Sequence, residues 1–247
     1  MVTAYFDCFS GIAGDMILGA FIDLGMDIDF FKKEIKKLNL NGYEIVVKKV
    51  KKDNIVASDL YIKVDEKQPH RTLKDINILI DNSNLDCDVK NLSKKIFYNL
   101  AEAESKVHNI SIEKIHFHEV GAVDSIIDII GATIAMKYFI IKEVYCSSIP
   151  LGSGFVVCRH GKIPVPAPAT KKLLVGIPTY ELDSGHEMVT PTGAAIITTI
   201  CSNFDKKPEL VNEKIGYGSG KIKSSQPGVL KIVVGNLKNR KKDILKF

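Results

Sequence analysis

The sequence predicts an α/β chain, α+β in its mixed connectivity, with one mixed β-sheet and helices packed on it. Three observations lead there. The chain opens on a strand, a glycine turn and a helix. Later apolar runs switch between the two-residue period of strands and the helical period, so βα units are mixed with hairpins. The most apolar run, Ile126 to Val144, carries Asp128, Lys137, Lys142 and Glu143, which makes it a buried helix rather than a membrane span.

Val2 to Phe6 is a short apolar run of strand character. Ser10-Gly11-Ile12-Ala13-Gly14-Asp15 turns the chain into a helix from Met16, with Gly25 as its C-terminal cap. Asp29 to Leu38 reads as a short basic helix. Tyr43 to Lys49 and Ile55 to Val64 read as a hairpin joined by Lys52-Asp53-Asn54. Thr72 caps a helix to about Asp81, and a longer helix follows from Val89 to Val107. Glu119 to Tyr138 is a long, nearly all-apolar helix, and Glu143 to Cys146 a buried strand. Gly152 to Val157 and His160 to Val165 read as strands, running into an extended segment with Pro164, Pro166 and Pro168. Ala169 to Val175 and Ala194 to Asn203 are helical, and strands near Leu210 to Gly216 and Val229 to Gly235 follow. The expected organisation is a single domain over residues 1–235, with sub-divisions conceivable near 68–72 and 147–168, and a basic tail over 236–247.

Of 34 basic residues only Arg71, Arg159 and Arg240 are arginines, the residue type that reads bases and phosphates with two parallel bonds. Sequence-specific nucleic-acid binding is therefore not expected, and the net charge of +5 reads as a soluble, lysine-rich surface. Cys8, Cys87, Cys146, Cys158 and Cys201 are odd in number, scattered and without a CxxC pair, which points to reduced thiols rather than a disulfide framework. Asp7 and Asp15 interrupt the first apolar run, so no signal peptide is read. The expectation is a cytoplasmic protein with no membrane partner.

Four constellations carry chemistry. In His116-Phe117-His118-Glu119, extended backbone places His116 and His118 on one face, where two imidazoles can ligate one metal ion. Asp124 and Asp128, four residues apart, share a helical face. Two carboxylates on an apolar helix are costly unless they meet a cation or donors, so they read as ligands or as acceptors that orient the histidines. The alternative is an exposed histidine pair with the aspartates as helix caps.

The turn Ser10 to Asp15 offers backbone N–H groups at a helix N-terminus, suited to a phosphate. No lysine follows, so it is not a Walker A loop, and the alternative is a tight turn with Asp15 in the first helical turn. Asp7 and Cys8 stand at the C-terminal end of the strand, where α/β sheets present ligand groups. Cys158 and His160, two residues apart, form a weaker candidate metal pair, or a satisfied histidine beside an inert cysteine. Thr190 and Thr192 open a helix whose N-terminus can hold an anion, or Thr190 is simply its N-cap. His70, His108 and His186 read as isolated.

Five ordered segments resemble one family. They are Tyr5 to Met16, His116 to Ser125, Pro164 to Thr170, Thr190 to Ala195 and Ile215 to Gly220. The family is the LarC-type nickel insertion proteins, which complete the nickel-pincer nucleotide cofactor of lactate racemase and related enzymes. The resemblance, over about residues 2–235, implies insertion of Ni2+ into pyridinium-3,5-bisthiocarboxylic acid mononucleotide, forming one nickel–carbon and two nickel–sulfur bonds. In the family the reaction uses CTP with a divalent cation, Mg2+ or Mn2+. Carried onto this chain, His116 and His118 are expected as nickel ligands, with Glu119, Asp124 or His160 completing or supporting the sphere. Ser10, Gly11, Gly14, Thr190 and Thr192 would position the phosphate. Asp7, Cys8, Asp15, Glu119 and Asp124 are the catalytic candidates, Cys8 either holding the metal transiently or inert.

This chain departs from the family in two places. A histidine-rich insertion that family members often carry is reduced to His70. The family also continues into a further domain to which nucleotide binding is attributed, so the resemblance is to its N-terminal portion. A separate C-terminal domain or a second copy of the chain is accordingly an expected partner, beside the precursor mononucleotide. The rival readings are a non-catalytic metal-binding subunit and a metal-dependent phosphohydrolase.

Overall fold

The computed structural model describes residues 1–64, 71–117, 122–158, 161–222 and 226–238, without the side chains of His116, Val157 and Cys158. The chain begins with strand β1 (Val2–Asp7), helices α1 (Gly14–Asp23) and α2 (Ile28–Lys36), and the hairpin β2 (Tyr43–Lys52) and β3 (Ile55–Val64). Then come β4 (Arg71–Thr72), α3 (Leu73–Asp81), α4 (Cys87–His108), β5 (His116–Phe117) and α5 (Val123–Tyr138). The second half holds β6 (Glu143–Cys146), β7 (Ile149–Leu151), β8 (Phe155–Cys158), β9 (Gly161–Pro164), α6 (Pro168–Leu173) and β10 (Thr179–Glu181). It closes with α7 (Pro191–Ile200), β11 (Asn203–Phe204), β12 (Leu210–Ser219) and β13 (Val229–Leu237).

Seven strands form one mixed sheet in the order β11-β6-β1-β13-β12-β3-β2. β1 runs parallel to β6 and antiparallel to β13, so a central strand is paired on both edges. The α/β class read from the sequence is thus what the chain adopts. Among the described residues the β2–β3 hairpin pairs with the rest of the sheet through one bridge, Gly218 opposite Ser58. Asp23 at the end of α1 ties this seam. Its carboxylate accepts from Ser58 Oγ (3.1 Å), from the Tyr217 backbone N–H (2.9 Å) and from Lys49 Nζ.

Local chemistry explains the helix limits. Thr72 caps α3 in a capping box with Asp75. Gly25, at φ +107°, ends α1 as expected of a C-terminal glycine. α5 is buried nearly all round through Ile126, Ile127, Ile129, Ile130 and Ile134, as an interior helix must be. The bare Gly131 lets it approach Leu18 of α1 and Phe31 of α2. Phe21 then bridges α1 to β1 and α5, its ring 6.1 Å from Phe6 and 5.7 Å from Phe139.

Three expectations change. α5 begins at Val123, with Ala122 as its N-cap, rather than at Glu119. The expected helix 194–203 is Pro191–Ile200, after which the chain turns extended at β11. The short strands β7 and β10, parallel to each other, were not foreseen, because three residues each carry too little pattern. Among the described residues no helix is long and apolar enough to cross a membrane.

Candidate functional site

The first glycine turn folds because two segments far apart in sequence are zipped together. Ile12 N–H donates to Met188 O (2.8 Å) and Thr190 N–H to Ile12 O (3.1 Å). Gly11, at φ +96°, lies so close to Met188 O that any Cβ would overlap it, which requires glycine there. The zipper sets the N-termini of α1 and α7 side by side. Thr190 caps α7 by accepting from Gly193 N–H (3.1 Å), so the capping reading of this threonine holds. Its hydroxyl also meets Thr192 Oγ1 at 3.0 Å. α1 has no side-chain cap at Ala13.

A pocket of about 200 Å³ opens over this junction. Typical small-molecule pockets hold about 300–1,000 Å³, so this one takes part of a ligand. Its wall includes Ser10, Asp15, His186, Glu187, Thr190 and Lys221. Ser10 is only 6% exposed and its Oγ has no hydrogen-bond partner among the described residues, which leaves a buried hydroxyl open to a ligand.

Asp15 and Asp128 set the electrostatics. Burial pushes the Asp15 carboxyl above its ordinary value, against the pull of Lys221 and the Met16 backbone N–H, with Asp59 adding a smaller upward push. Lys221 Nζ lies 3.5 Å from Asp15 and also pairs with Asp59. Asp128 on α5 is packed against Gly14, where a Cβ would sit 2.5 Å from its Oδ2. The residue keeps some accessible surface, but its Oδ1 is sealed and without a partner among the described residues. Burial, then Asp15 and Asp124, hold this carboxyl well above the usual range, with Lys221 opposing.

The residues singled out in the sequence separate into groups. Ser10, Asp15 and Thr190 meet in the pocket. Gly11 and Gly14 do not line it but pack closely beside it, Gly11 against Met188 O and Gly14 against Asp128, and Thr192 is buried beside Thr190. Asp7 instead pairs with Lys231 (3.3 Å), and Cys8 is buried with its sulfur 3.6 Å from Cys146 Sγ. Neither lines the pocket. Asp124 is exposed and accepts from the Ser125 N–H, so of the two α5 aspartates only Asp128 turns inward. The His116 backbone pairs with Thr72 in the small β4–β5 ladder. His118, Glu119 and His160 lie outside the described residues. Among the described residues no three histidine, cysteine or carboxylate side chains gather at metal-binding range. His186, Glu187 and Lys221 were not foreseen as site residues. The available signal was position alone, since the first two precede the Thr190 segment and Lys221 follows the Ile215–Gly220 segment.

With this geometry in view, comparison with known proteins is informative. The sequence pattern of the nickel insertion proteins matches residues 4–246. The chain belongs to the nickel insertion protein family. It is 48% identical over 237 residues to a Dictyoglomus thermophilum protein whose name refers to nickel insertion. It is 45% identical over 249 residues to the pyridinium-3,5-bisthiocarboxylic acid mononucleotide nickel insertion protein of Acetivibrio thermocellus. A protein of the same name from Desulfitobacterium hafniense is 45% identical over 242 residues. These alignments cover 96–98% of this chain but only 60–61% of the relatives, so the chain spans about three fifths of their length. No solved structure matches. The family match spans every segment that meets at the pocket.

Proposed function

We propose that this chain handles nickel for insertion into pyridinium-3,5-bisthiocarboxylic acid mononucleotide, with the pocket between α1 and α7 receiving the mononucleotide's phosphate end. The observation that carries this reading is convergence. Ser10 and Asp15 of the first family-like segment, Thr190 of the fourth and Lys221 beside the fifth line one small pocket. The α1 N-terminus supplies N–H groups and positive dipole, Ser10 a hydroxyl without a partner among the described residues and Lys221 a cation, which together suit a phosphate. Substrate and reaction class are drawn from the names of relatives that this chain covers only in part.

In this reading Gly11 and Gly14 keep backbone close to the ligand, and Thr190 and Thr192 hold the α7 N-terminus in place. Nickel enters as cargo, with His116, His118, Glu119, Asp124 and His160 as the candidate ligands read from the sequence. Asp7 and Cys8 stand apart from the pocket and have no role in it. CTP with Mg2+ or Mn2+ is assigned to the remaining two fifths of the full-length relatives. A second reading, a subunit that acts only with that remainder, is favoured by the partial coverage.

The test combines purified chain, nickel, CTP with Mg2+, and the apo-mononucleotide, with product read by mass spectrometry. Product from the chain alone supports an enzyme. Product only after the missing portion of a relative is added supports the subunit. Phosphate release without the mononucleotide supports a hydrolase and removes the proposal. Ser10→Ala is expected to weaken mononucleotide binding by about tenfold, the size of one well-placed hydrogen bond to a charged group.

A further inference from the structure

A pocket read as receiving a phosphate carries two carboxylates on its wall, Asp15 and Glu187. Both oxygens of Asp15 are placed. Oδ1 accepts from the Met16 N–H (2.8 Å), one of the first-turn donors of α1. Oδ2 lies 3.5 Å from Lys221 Nζ, too long for a good N–H···O bond. Lys221 makes its shorter bonds elsewhere, to Asp59 and to Leu60 O (2.7 Å). An ammonium has three N–H donors, so one remains on the pocket side.

The surroundings of Asp15 are acidic. Asp59 stands on β3, Asp128 and the exposed Asp124 on α5, and Glu187 in the segment before α7. Facing them on the pocket wall are Lys221 and His186, whose Nδ1 lies 2.7 Å from the Ser184 carbonyl oxygen. A phosphate monoester loses its second proton near about pH 6. Fully ionised, it would stand beside Asp15 and compete with it for the same ammonium. Two acidic groups held that close keep one proton between them. Burial already favours the protonated form of Asp15. Ser10 is the independent sign of a ligand here, its hydroxyl buried and without a partner among the described residues.

We propose that the phosphate end binds together with one proton, shared between a phosphate oxygen and Oδ2 of Asp15, while the remaining N–H of Lys221 turns to the phosphate. This rests on the phosphate reading of the pocket given above and adds the protonation state of the complex. The proton comes from solvent, so chain, mononucleotide and H+ together give the complex. Asp15 then binds the phosphate instead of repelling it. Affinity falls as pH rises through the window where free Asp15 and free phosphate are both ionised but the complex still holds the proton.

The test is calorimetry of the mononucleotide on the full chain from about pH 6.5 to about pH 8.5, the range above the phosphate's own second ionisation. Buffers of different ionisation enthalpy read the protons taken up on binding. The wild type should take up close to one proton and lose about tenfold in affinity per pH unit. Asp15→Asn, whose amide donates at any pH, should take up none, show a flat profile and bind more tightly than the wild type at the alkaline end. His186→Gln should keep both the uptake and the slope. Each variant is first checked for native circular dichroism. Wild-type binding without proton uptake, uptake that survives in Asp15→Asn, or uptake lost in His186→Gln would overturn the inference and leave the phosphate reading standing. If the wild type does not bind the mononucleotide, or binds the nucleoside without its phosphate equally well, the phosphate reading falls and the inference with it.

Discussion

Helix α1 carries a carboxylate at each end, Asp15 in its first turn and Asp23 in its last, and the two are held in opposite ways. Asp23 is the more enclosed, with 12% of its side chain exposed against 23% for Asp15, so burial does not separate them. Donors do. Asp23 accepts from a lysine, a hydroxyl and a backbone N–H, and so closes the seam between the hairpin and the rest of the sheet. Asp15 has one lysine at 3.5 Å and its neighbour's N–H, and it faces Asp128 and Asp59. A saturated carboxylate is a staple. One left short of donors beside a pocket is a group awaiting a ligand.

Removing Asp23 breaks this comparison at its structural end and carries the largest expected effect. Asp23→Ala strands the Tyr217 N–H and the Ser58 hydroxyl in a buried seam, at a cost of about 3 kcal/mol. Denaturant unfolding should show the loss, and hydrogen exchange should show it concentrated in β2 and β3. Asp15→Asn is expected to leave stability unchanged or slightly raised.

Gly14→Ala comes next. Alanine favours helix by about 1 kcal/mol over glycine. Here, however, the new methyl would sit 2.5 Å from both Cβ and Oδ2 of Asp128. Overpacking should win, leaving a net loss of about 1–2 kcal/mol in denaturant unfolding. Because Asp128 Cβ is itself in the way, Asp128→Ala should not rescue the variant.

Asp128→Asn should act in the other direction. A carboxyl whose folded pKa is raised binds its proton more tightly in the native state. Its full contribution to stability is therefore present below the unfolded value of about 3.9 and is lost as pH rises through the folded value. Asp128 and Asp15 both shift upward, so the protein should lose stability on going from acid toward neutral pH in that window. Asn at 128 removes one of the two, flattens the slope and stabilises at neutral pH by roughly 1 kcal/mol, as relief of functional strain commonly does. Midpoints of guanidinium unfolding across pH measure it. An unchanged slope would mean that Asp128 is already satisfied when ionised.

The sequence made α1, the β2–β3 hairpin, the Thr72 cap and the Thr190 cap legible because each is set by residues within a few positions of one another. The pocket was legible in halves. Ser10 to Asp15 and Thr190 to Gly193 each read as an anion-binding helix start, but their zipper through Met188 is backbone pairing that no side-chain pattern announces. Asp128 was seen as the partner of Asp124 on one face. Burial separates them, because an offset of about 40° between positions four apart is enough to turn one outward. His186 looked alone since its orienting partner is a carbonyl, an atom every residue has.

The smallest effect on stability is expected at Lys221, and it sharpens the contrast most. Lys221 is 41% exposed, and ion pairs at that exposure contribute at most about 1 kcal/mol, so Lys221→Met should unfold almost as the wild type does. Its loss would leave Asp15 facing Asp59 and Asp128 without the cation that Lys221 supplies among the described residues, and the Asp15 carboxyl should rise further. Mononucleotide affinity, measured by calorimetry, should fall by roughly tenfold, because a phosphate would lose its cation and meet a denser cluster of acids. A large stability loss with unchanged affinity would make Lys221 a second staple like Asp23, and would move the phosphate site away from the α1 N-terminus.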